Sequence, residues 1–267
     1  MALKIVMMIV LIPLAALLLL CAGIAVYAWI LMIRRPPRAL YEARAKEADF
    51  AVLSDIPERM ARLFVELEDR YFYDHHGFVP RVIPALVKLN FRAKKIIYGG
   101  STITQQLAKN LYFRFNHNYL RKAAELPIAI VLERQLGKDR ILEMYCNIIY
   151  FGNGTYGVSE AARFYFDKPL SDLTINQMFM LACLPSAPTR GNPIQYPEVF
   201  ERVRNKRLNR VTPPLISPDE AALICSYHAD QLDPELRKPD DFTRNYPQDI
   251  PLINERYGPF ARKKKEL

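Results

Sequence analysis

Residues 99–110 read Gly-Gly-Ser-Thr-Ile-Thr-Gln-Gln-Leu-Ala-Lys-Asn and join a glycine pair to the start of a helix. Thr102 and Gln105 have the spacing of a capping box, so backbone amides at the helix N-terminus can face outward beside a flexible approach. Such an N-terminus is a ready site for an anion, and a phosphate-bearing ligand is the natural candidate. Lys109 lies one turn beyond Gln105 on the same face and adds positive charge. An ordinary capped helix with a solvated lysine is the alternative interpretation.

Four further motifs accompany this stretch, at residues 68–78, 121–125, 138–168 and 181–193. The first opens with Glu68 and Asp69, and the second closes with Glu125. Taken in order, the five motifs resemble those of glycosyltransferase family 51, the peptidoglycan glycosyltransferases that polymerise lipid II. The resemblance covers residues 68–193.

The pattern of helix starts and stops predicts a mainly α fold. A helix follows Ser54 or Asp55, another follows Thr102, and a third runs to about Leu136 and stops at Gly137. No alternating series predicts strands beyond a short hairpin. The resemblance further implies a lysozyme-like larger lobe and a smaller membrane-facing lobe, preceded by one transmembrane helix.

Residues 5–33 carry no charge and are long enough, at about 1.5 Å per residue, to cross a bilayer. We predict a single transmembrane helix; a cleaved signal peptide is the rival, but the apolar run is too long and no small-x-small site follows it. The predicted organisation is an anchor over residues 1–38, a glycosyltransferase family 51 domain over 50–212 and a charged, proline-bearing tail over 213–267. That tail is too short for a transpeptidase domain, which predicts a monofunctional enzyme.

The charges flanking the apolar helix disagree with the resemblance about orientation. Lys4 precedes the helix and Arg34, Arg35 and Arg38 follow it, so the positive-inside rule mildly favours a cytoplasmic domain. The family acts on the outer face of the cytoplasmic membrane, which implies a single-pass protein with its catalytic domain on the periplasmic or extracellular side. The three arginines can then bind anionic headgroups.

The formal net charge of +9 fits a polyanionic or membrane partner. No nucleic-acid motif accompanies the charge, so we predict no nucleic-acid partner. Residues 79–98 hold five basic and no acidic residues among apolar ones, which suits an interfacial segment; a solvated helix with a core stripe is the alternative. The resemblance implies lipid II, the growing glycan chain and membrane lipids as partners, together with other cell-wall synthesis proteins. The four cysteines predict neither a disulfide framework nor a zinc site.

Moving a sugar from a polyprenyl pyrophosphate to a hydroxyl needs a base for the hydroxyl and positive charge for the leaving group. The resemblance assigns the base of an inverting displacement to Glu68, although a glutamate at a helix end is otherwise usually a surface residue. It assigns Glu125 to the pyrophosphate side, acting directly or as a ligand of a divalent Mg or Mn ion. Arg121, one turn earlier, keeps Glu125 ionised.

The predicted substrate-binding residues cluster around the glycine pair and the following helix, with Lys109 as the point charge on the pyrophosphate. They are Gly100, Ser101, Thr102, Gln105, Gln106, Lys109, Asn110, His117 and Arg121. Four departures from the family pattern stand out: Val79 replaces an aspartate, His117 an arginine, Gln177 a glutamate, and Arg190-Gly191 the usual approach to Asn192-Pro193. His117 matters most, because imidazole carries only part of a charge near neutral pH.

Two other function classes remain beside a glycosyltransferase. One is a catalytically weak, membrane-anchored scaffold that binds lipid II or cell-wall proteins. The other is a lysozyme-like hydrolase, since a glutamate in that architecture also cuts glycans. The glycine-flanked anion site and the pyrophosphate lysine disfavour the hydrolase.

Overall fold

The computed structural model describes residues 2–80, 88, 100–113, 119–189, 191–211, 213, 215–227 and 232, and these are mainly helical, as predicted. The helices are α1 (Ala2–Arg34), α2 (Pro37–Arg44), α3 (Glu58–Glu68), α4 (Ile103–Tyr112), α5 (Tyr119–Ile148), α6 (Val158–Phe166), α7 (Ile175–Cys183), α8 (Pro197–Leu208) and α9 (Pro218–Ser226). Strands β1 (Tyr150–Gly152) and β2 (Thr155–Tyr156) form the predicted antiparallel hairpin, with Tyr150 opposite Tyr156. Short 3-10 turns cover Leu170–Asp172 and Leu184–Ser186.

Helix α1 is long and apolar enough, over Val10–Arg34, to cross a membrane by length and composition. Its last turns contact the rest of the protein. Ala28 is fully buried, Arg35 donates from Nη1 to the carbonyl of Leu111 at 3.3 Å, and the Tyr112 hydroxyl donates to the carbonyl of Arg35 at 2.7 Å. The apolar helix is therefore joined directly to the end of α4.

Helix α2 and the loop after it lie against the C-terminal half of α5. Arg44 donates to the carbonyl of Asn147 at 3.2 Å, and the Asn147 side chain exchanges two 2.8 Å hydrogen bonds with the backbone of Ala51. Glu143 accepts a 2.6 Å bond from the backbone nitrogen of Leu53. Glu143 and Asn147, two buried polar residues of the fourth motif, thus find hydrogen-bond partners in residues 44–53. These bonds hold in place the segment that leads from the apolar helix to the domain.

The core lies between α3, α4, α5 and α7 and includes edge-on aromatic contacts. The Phe64 ring stands 6.1 Å from the rings of both Tyr145 and Phe151, and all three side chains are fully buried. Helix α5 passes through Pro127 without interruption and is broken at Gly137, where φ is 76° and ψ is 170°. The predicted helix stop at this glycine is confirmed, because a positive φ favours a residue without Cβ.

Helix α9 occupies residues that the sequence assigns to the tail. Ser217 and Glu220 form a capping box at its start, and Glu220 accepts two bonds from Arg59 of α3 at 2.6 and 2.8 Å. The first part of the tail is therefore folded onto the domain. Residues 233–267, and residues 81–87 and 89–99 expected in the smaller lobe, lie outside the described residues. All four cysteines are described and free.

Candidate active site

Glu68 is the last residue of α3, where it reaches the edge of the core. The helix buries Met60, Leu63, Phe64 and Leu67 on one face, and this pattern directs the Glu68 side chain inward beside them. The side chain is 7% exposed, and both oxygens are paired. Oε1 lies 2.8 Å from Nη2 of Arg207, and Oε2 accepts a 2.9 Å bond from Nε2 of Gln106.

The next residue, Asp69, connects the end of α3 to the start of α4. Its Oδ2 accepts a 3.0 Å bond from the backbone nitrogen of Ile103 and lies 2.8 Å from Nε2 of His75. The backbone nitrogen of Gly77 donates to Nδ1 of His75 at 3.0 Å, which assigns the ring hydrogen to Nε2. Asp69 and His75 are both buried, so this chain of bonds fixes Glu68 relative to α4.

The capping box predicted at the start of α4 is confirmed. Thr102 Oγ1 accepts a 3.1 Å bond from the backbone nitrogen of Gln105, and Gln105 Oε1 accepts a 3.2 Å bond from that of Thr102. The Thr102 hydroxyl also donates to the carbonyl of Gly77 at 2.8 Å. Both side chains therefore hold the helix start in this structure, and their contact with substrate stays a prediction.

The backbone amides at the start of α4 differ from the expectation of an open anion site. The amide of Thr102 is bonded to the Gln105 side chain, that of Ile103 to Asp69 and that of Gln105 to the Thr102 hydroxyl. Protein oxygens thus occupy three of the amides at the helix start that have no carbonyl partner within the helix. Positive charge for an anion comes instead from side chains.

These side chains surround Glu125, which is 2% exposed on α5. Lys122 Nζ lies 2.7 Å from Glu125 Oε2 and 2.7 Å from the hydroxyl oxygen of Ser101. Arg121 Nε lies 3.5 Å from Glu125 Oε1, which is buried and accepts no hydrogen bond from the residues that the structure describes. The predicted pairing of Arg121 with Glu125 is therefore present, and Lys122 joins it.

Lys109 lies among the charges of both glutamates. Burial lowers the pKa of Lys109; Glu125 and Glu68 oppose this shift, while Arg121 and Lys122 add to it. Lys109, Arg121, Lys122 and Glu125 are called the cation cluster below. Three cations around one carboxylate leave an excess of positive charge beside the buried Glu68, which suits an anionic ligand.

A family model described as Transglycosylase matches residues 37–212, which is well over half of the chain. The chain belongs to the transglycosylase family. This confirms the resemblance to glycosyltransferase family 51.

Curated relatives of this transglycosylase include three penicillin-binding proteins. Penicillin-binding protein 1F of Bacillus subtilis (strain 168) is 42% identical over 146 residues, which are 55% of this chain and 20% of the relative. Penicillin-binding protein 1A of Aquifex aeolicus (strain VF5) is 40% identical over 186 residues, 66% of this chain and 26% of the relative. Penicillin-binding protein 1A of Escherichia coli (strain K12) is 40% identical over 159 residues, 60% and 19% respectively. The chain thus spans about a fifth to a quarter of each relative's length.

The other predicted substrate-binding residues of the transglycosylase domain differ in their surroundings. Gly100 is exposed, and Ser101 is half-buried against Lys122. Gln106 holds Glu68 through Nε2, and its Oε1 lies 3.5 Å from the hydroxyl of the buried Tyr145. Asn110 Nδ2 is buried without a hydrogen-bond partner among the described residues. His117 lies outside the described residues.

Of the departures from the family pattern other than His117, Gln177 has a clear local role. It forms a capping box with Thr174 at the start of α7, with Oε1 accepting a 3.0 Å bond from the Thr174 backbone nitrogen. Glutamine and glutamate both accept this hydrogen bond in a capping box, so the replacement preserves the start of α7. Val79 is half-buried, and nothing in the structure explains its replacement of an aspartate.

Sequence reasoning missed two residues of this transglycosylase site. Lys122 sits inside the third motif, next to the predicted Arg121, and its bond to Ser101 spans 21 positions. Arg207 lies on α8, beyond the last motif, and is 11% exposed; a second nitrogen, Nη1, donates to the carbonyl of Ala182 at 3.4 Å. The surrounding run Arg202, Arg204, Lys206, Arg207 and Arg210 gives no signal that singles out Arg207.

The residues around Glu125 fit a protein-held divalent ion poorly. The described part of the chain contains no group of three or more His, Cys, Asp or Glu side chains that could hold a metal. Glu125 is instead surrounded by Lys122, Arg121 and Lys109, whose charges repel a divalent cation.

Proposed function

We propose that this chain is a peptidoglycan glycosyltransferase that polymerises lipid II, with Glu68 as the general base of an inverting displacement. The observation that carries the proposal is the neighbourhood of Lys109, where the buried Glu68 and the cation cluster meet. A carboxylate for the attacking hydroxyl and cations for the departing pyrophosphate are the two requirements of this transfer.

In the proposed reaction the sugar hydroxyl of the acceptor attacks the anomeric carbon of the donor as its proton passes to Glu68. The bond to the pyrophosphate oxygen breaks on the opposite face, so the configuration inverts in one step. Glu68 Oε2 keeps a lone pair beside its bond to Gln106 and can accept the hydroxyl without losing that bond. The leaving pyrophosphate gains negative charge next to Lys109, Arg121 and Lys122, which donate charge-assisted hydrogen bonds to it.

The proposed substrates are carried by a membrane lipid, which agrees with the apolar helix α1. Its length and composition suit a membrane anchor, and its end is bonded to α4 through Arg35 and Tyr112. We place the catalytic domain on the outer face of the cytoplasmic membrane, because lipid II is polymerised there. The growing glycan chain, membrane lipids and other cell-wall synthesis proteins are the proposed partners.

A catalytically weak scaffold is the second candidate, and the Arg207 contact favours it. Arg207 at 2.8 Å and Gln106 at 2.9 Å already occupy the two carboxylate oxygens of Glu68, which leaves less room for an acceptor hydroxyl. If Arg207 stays in place during the reaction, the transfer is slow and lipid II binding is the main activity.

Incubation of the detergent-solubilised full chain with labelled lipid II, followed by gel separation of the products, tests both candidates. We expect glycan chains from the wild type and at least about a hundredfold slower synthesis by Glu68→Gln, because an amide cannot take the proton. Glu58→Gln is the matched control, since Glu58 begins the same helix and its side chain is 85% exposed. Near wild-type synthesis by Glu68→Gln would exclude Glu68 as the base, and lipid II binding without synthesis by the wild type would favour the scaffold.

A further inference from the structure

A groove of about 430 Å³ lies between α1 and the beginning of α5. Its α1 wall includes Leu19, Gly23 and Tyr27, and its opposite wall is formed by Phe113 and Leu120. The Tyr27 and Phe113 rings approach to 6.4 Å at one end. Among the described residues the lining is therefore almost wholly apolar, with Arg121 as its charged member.

The position of the groove along α1 places it at the depth of a bilayer. Residues 5–27 are 23 residues without charge, roughly 34 Å of helix, which matches a hydrocarbon core of about 30 Å. Tyr27 and Trp29 are 48% and 61% exposed and mark the boundary where aromatic side chains concentrate. Leu19 lies eight residues below Tyr27, about 12 Å along the axis, so the groove runs into the leaflet nearest the domain.

Arg121 connects this apolar groove to the cation cluster. The same side chain lines the groove and lies 3.5 Å from Glu125. A ligand that fills both regions needs a long apolar chain and an anionic head. Because three cations surround one carboxylate, the excess of positive charge suits two linked phosphates better than the single phosphate of a common phospholipid.

We propose that the groove between α1 and α5 binds the polyisoprenyl chain of a diphosphate-linked lipid, with the diphosphate at Arg121. The inference rests on the proposed function, since the same lipid is the donor of that reaction. Helix α1 is then part of the substrate site as well as an anchor. The chain is held by apolar burial and the head by charge, so each can be perturbed separately.

Gly23 offers a substitution that fills the groove. A Cβ built at Gly23 meets no atom within 4 Å, so the leucine of Gly23→Leu extends into the open space. Ala25→Leu is the matched control, because Ala25 is exposed and lies about 200° around the helix from Gly23. Both variants place a leucine side chain on α1, and they differ in whether that side chain enters the groove.

The experiment uses the full chain in lipid nanodiscs and a polyisoprenyl diphosphate that carries a photoreactive group in its chain. Crosslinked peptides are identified by mass spectrometry, and the KM and kcat for lipid II are measured in parallel. We expect crosslinks to residues 19–27 in the wild type and in Ala25→Leu. In Gly23→Leu we expect about tenfold fewer crosslinks and about a tenfold higher KM. A tenfold loss of affinity is what the lipid chain would lose if about two of its methylene groups were no longer buried in the groove.

Equal crosslinking and equal KM in both variants would overturn the inference while leaving the proposed function intact. Crosslinks from a photoreactive phosphatidylglycerol that excess polyisoprenyl diphosphate does not displace would also overturn it, because bulk lipid would then occupy the groove. A wild type that shows the Gly23-dependent crosslinks but makes no glycan would refute the proposed function and support the groove as a lipid site.

Discussion

Replacing Arg207 by methionine removes the charge that faces Glu68 while keeping much of the apolar bulk of the side chain. The variant Arg207→Met loses the 2.8 Å contact with Oε1 and the 3.4 Å bond to the Ala182 carbonyl. Glu68 would then keep Gln106 as its described partner and remain largely buried. A buried carboxylate without its counter-charge is costly, because neither water nor a cation compensates for the lost hydration.

The expected cost follows from the burial of the two side chains. Breaking a buried ion pair by removing one partner costs about 3–5 kcal/mol. Arg207 and Glu68 retain 11% and 7% exposure, so we expect the lower end, about 3 kcal/mol. For a domain of this size that loss lowers the thermal midpoint by about 6–12 °C. If the pair is responsible, Glu68→Gln should cost less in the Arg207→Met background than alone, with a coupling of about 1.5–3 kcal/mol.

The assay is thermal unfolding of the wild type, the two single variants and the double variant in one detergent at one protein concentration. Arg202→Met is the control, since Arg202 lies exposed on the same helix and should change stability by less than about 0.5 kcal/mol. Additivity of Arg207→Met and Glu68→Gln within about 0.5 kcal/mol would show that the pair contributes nothing to the folded state. The reasoning about a buried ion pair would then be wrong.

Two further predictions concern the cation cluster. Burial lowers the pKa of Lys109 from its ordinary 10.5, so Lys109 should lose its charge, and the wild type its kcat/KM, at a pH below 10.5. An arginine stays charged, so in Lys109→Arg the alkaline fall of kcat/KM should move to higher pH. Initial rates measured across the pH range check both statements. Lys122→Met removes the bonds to Ser101 and Glu125 and one proposed diphosphate donor, so the KM for lipid II should rise about tenfold. Lys206→Met is the control, because Lys206 is exposed and its loss should leave the KM unchanged.

Local rules account for the parts of the site that the sequence predicted. The capping box at Thr102 and the helix break at Gly137 each depend on residues within a few positions of one another. A cap needs a hydroxyl and a side-chain amide three residues apart, and a backbone break at positive φ favours glycine. Such features can be read from the chain without its tertiary structure.

The contacts that the sequence did not predict join distant positions. Arg207 meets Glu68 across 139 residues, and the amide of Ile103 is bonded to Asp69 across 34. No periodicity selects one arginine from a basic helix, because the choice depends on how α8 lies against α7 and the end of α3. The bond from the Ile103 amide to Asp69 was missed for the same reason, since that carboxylate comes from another element.

Helix α4 sets the separation between the proposed base, Glu68, and the proposed leaving-group site at the cation cluster. Gln106 holds Glu68, and Lys109 follows three residues later among the cluster charges, about 4.5 Å further along the same helix face. An in-line displacement needs the attacking hydroxyl and the departing oxygen on opposite sides of one carbon, so its base and its cations must keep a fixed spacing. The capping box and the bond from Asp69 fix the first turn of α4, and hence the position of Gln106 and Lys109 together. The amides at that helix start are thus used to hold the geometry of the site, and in the proposed reaction the lysines and arginine beyond them supply the charge for the diphosphate.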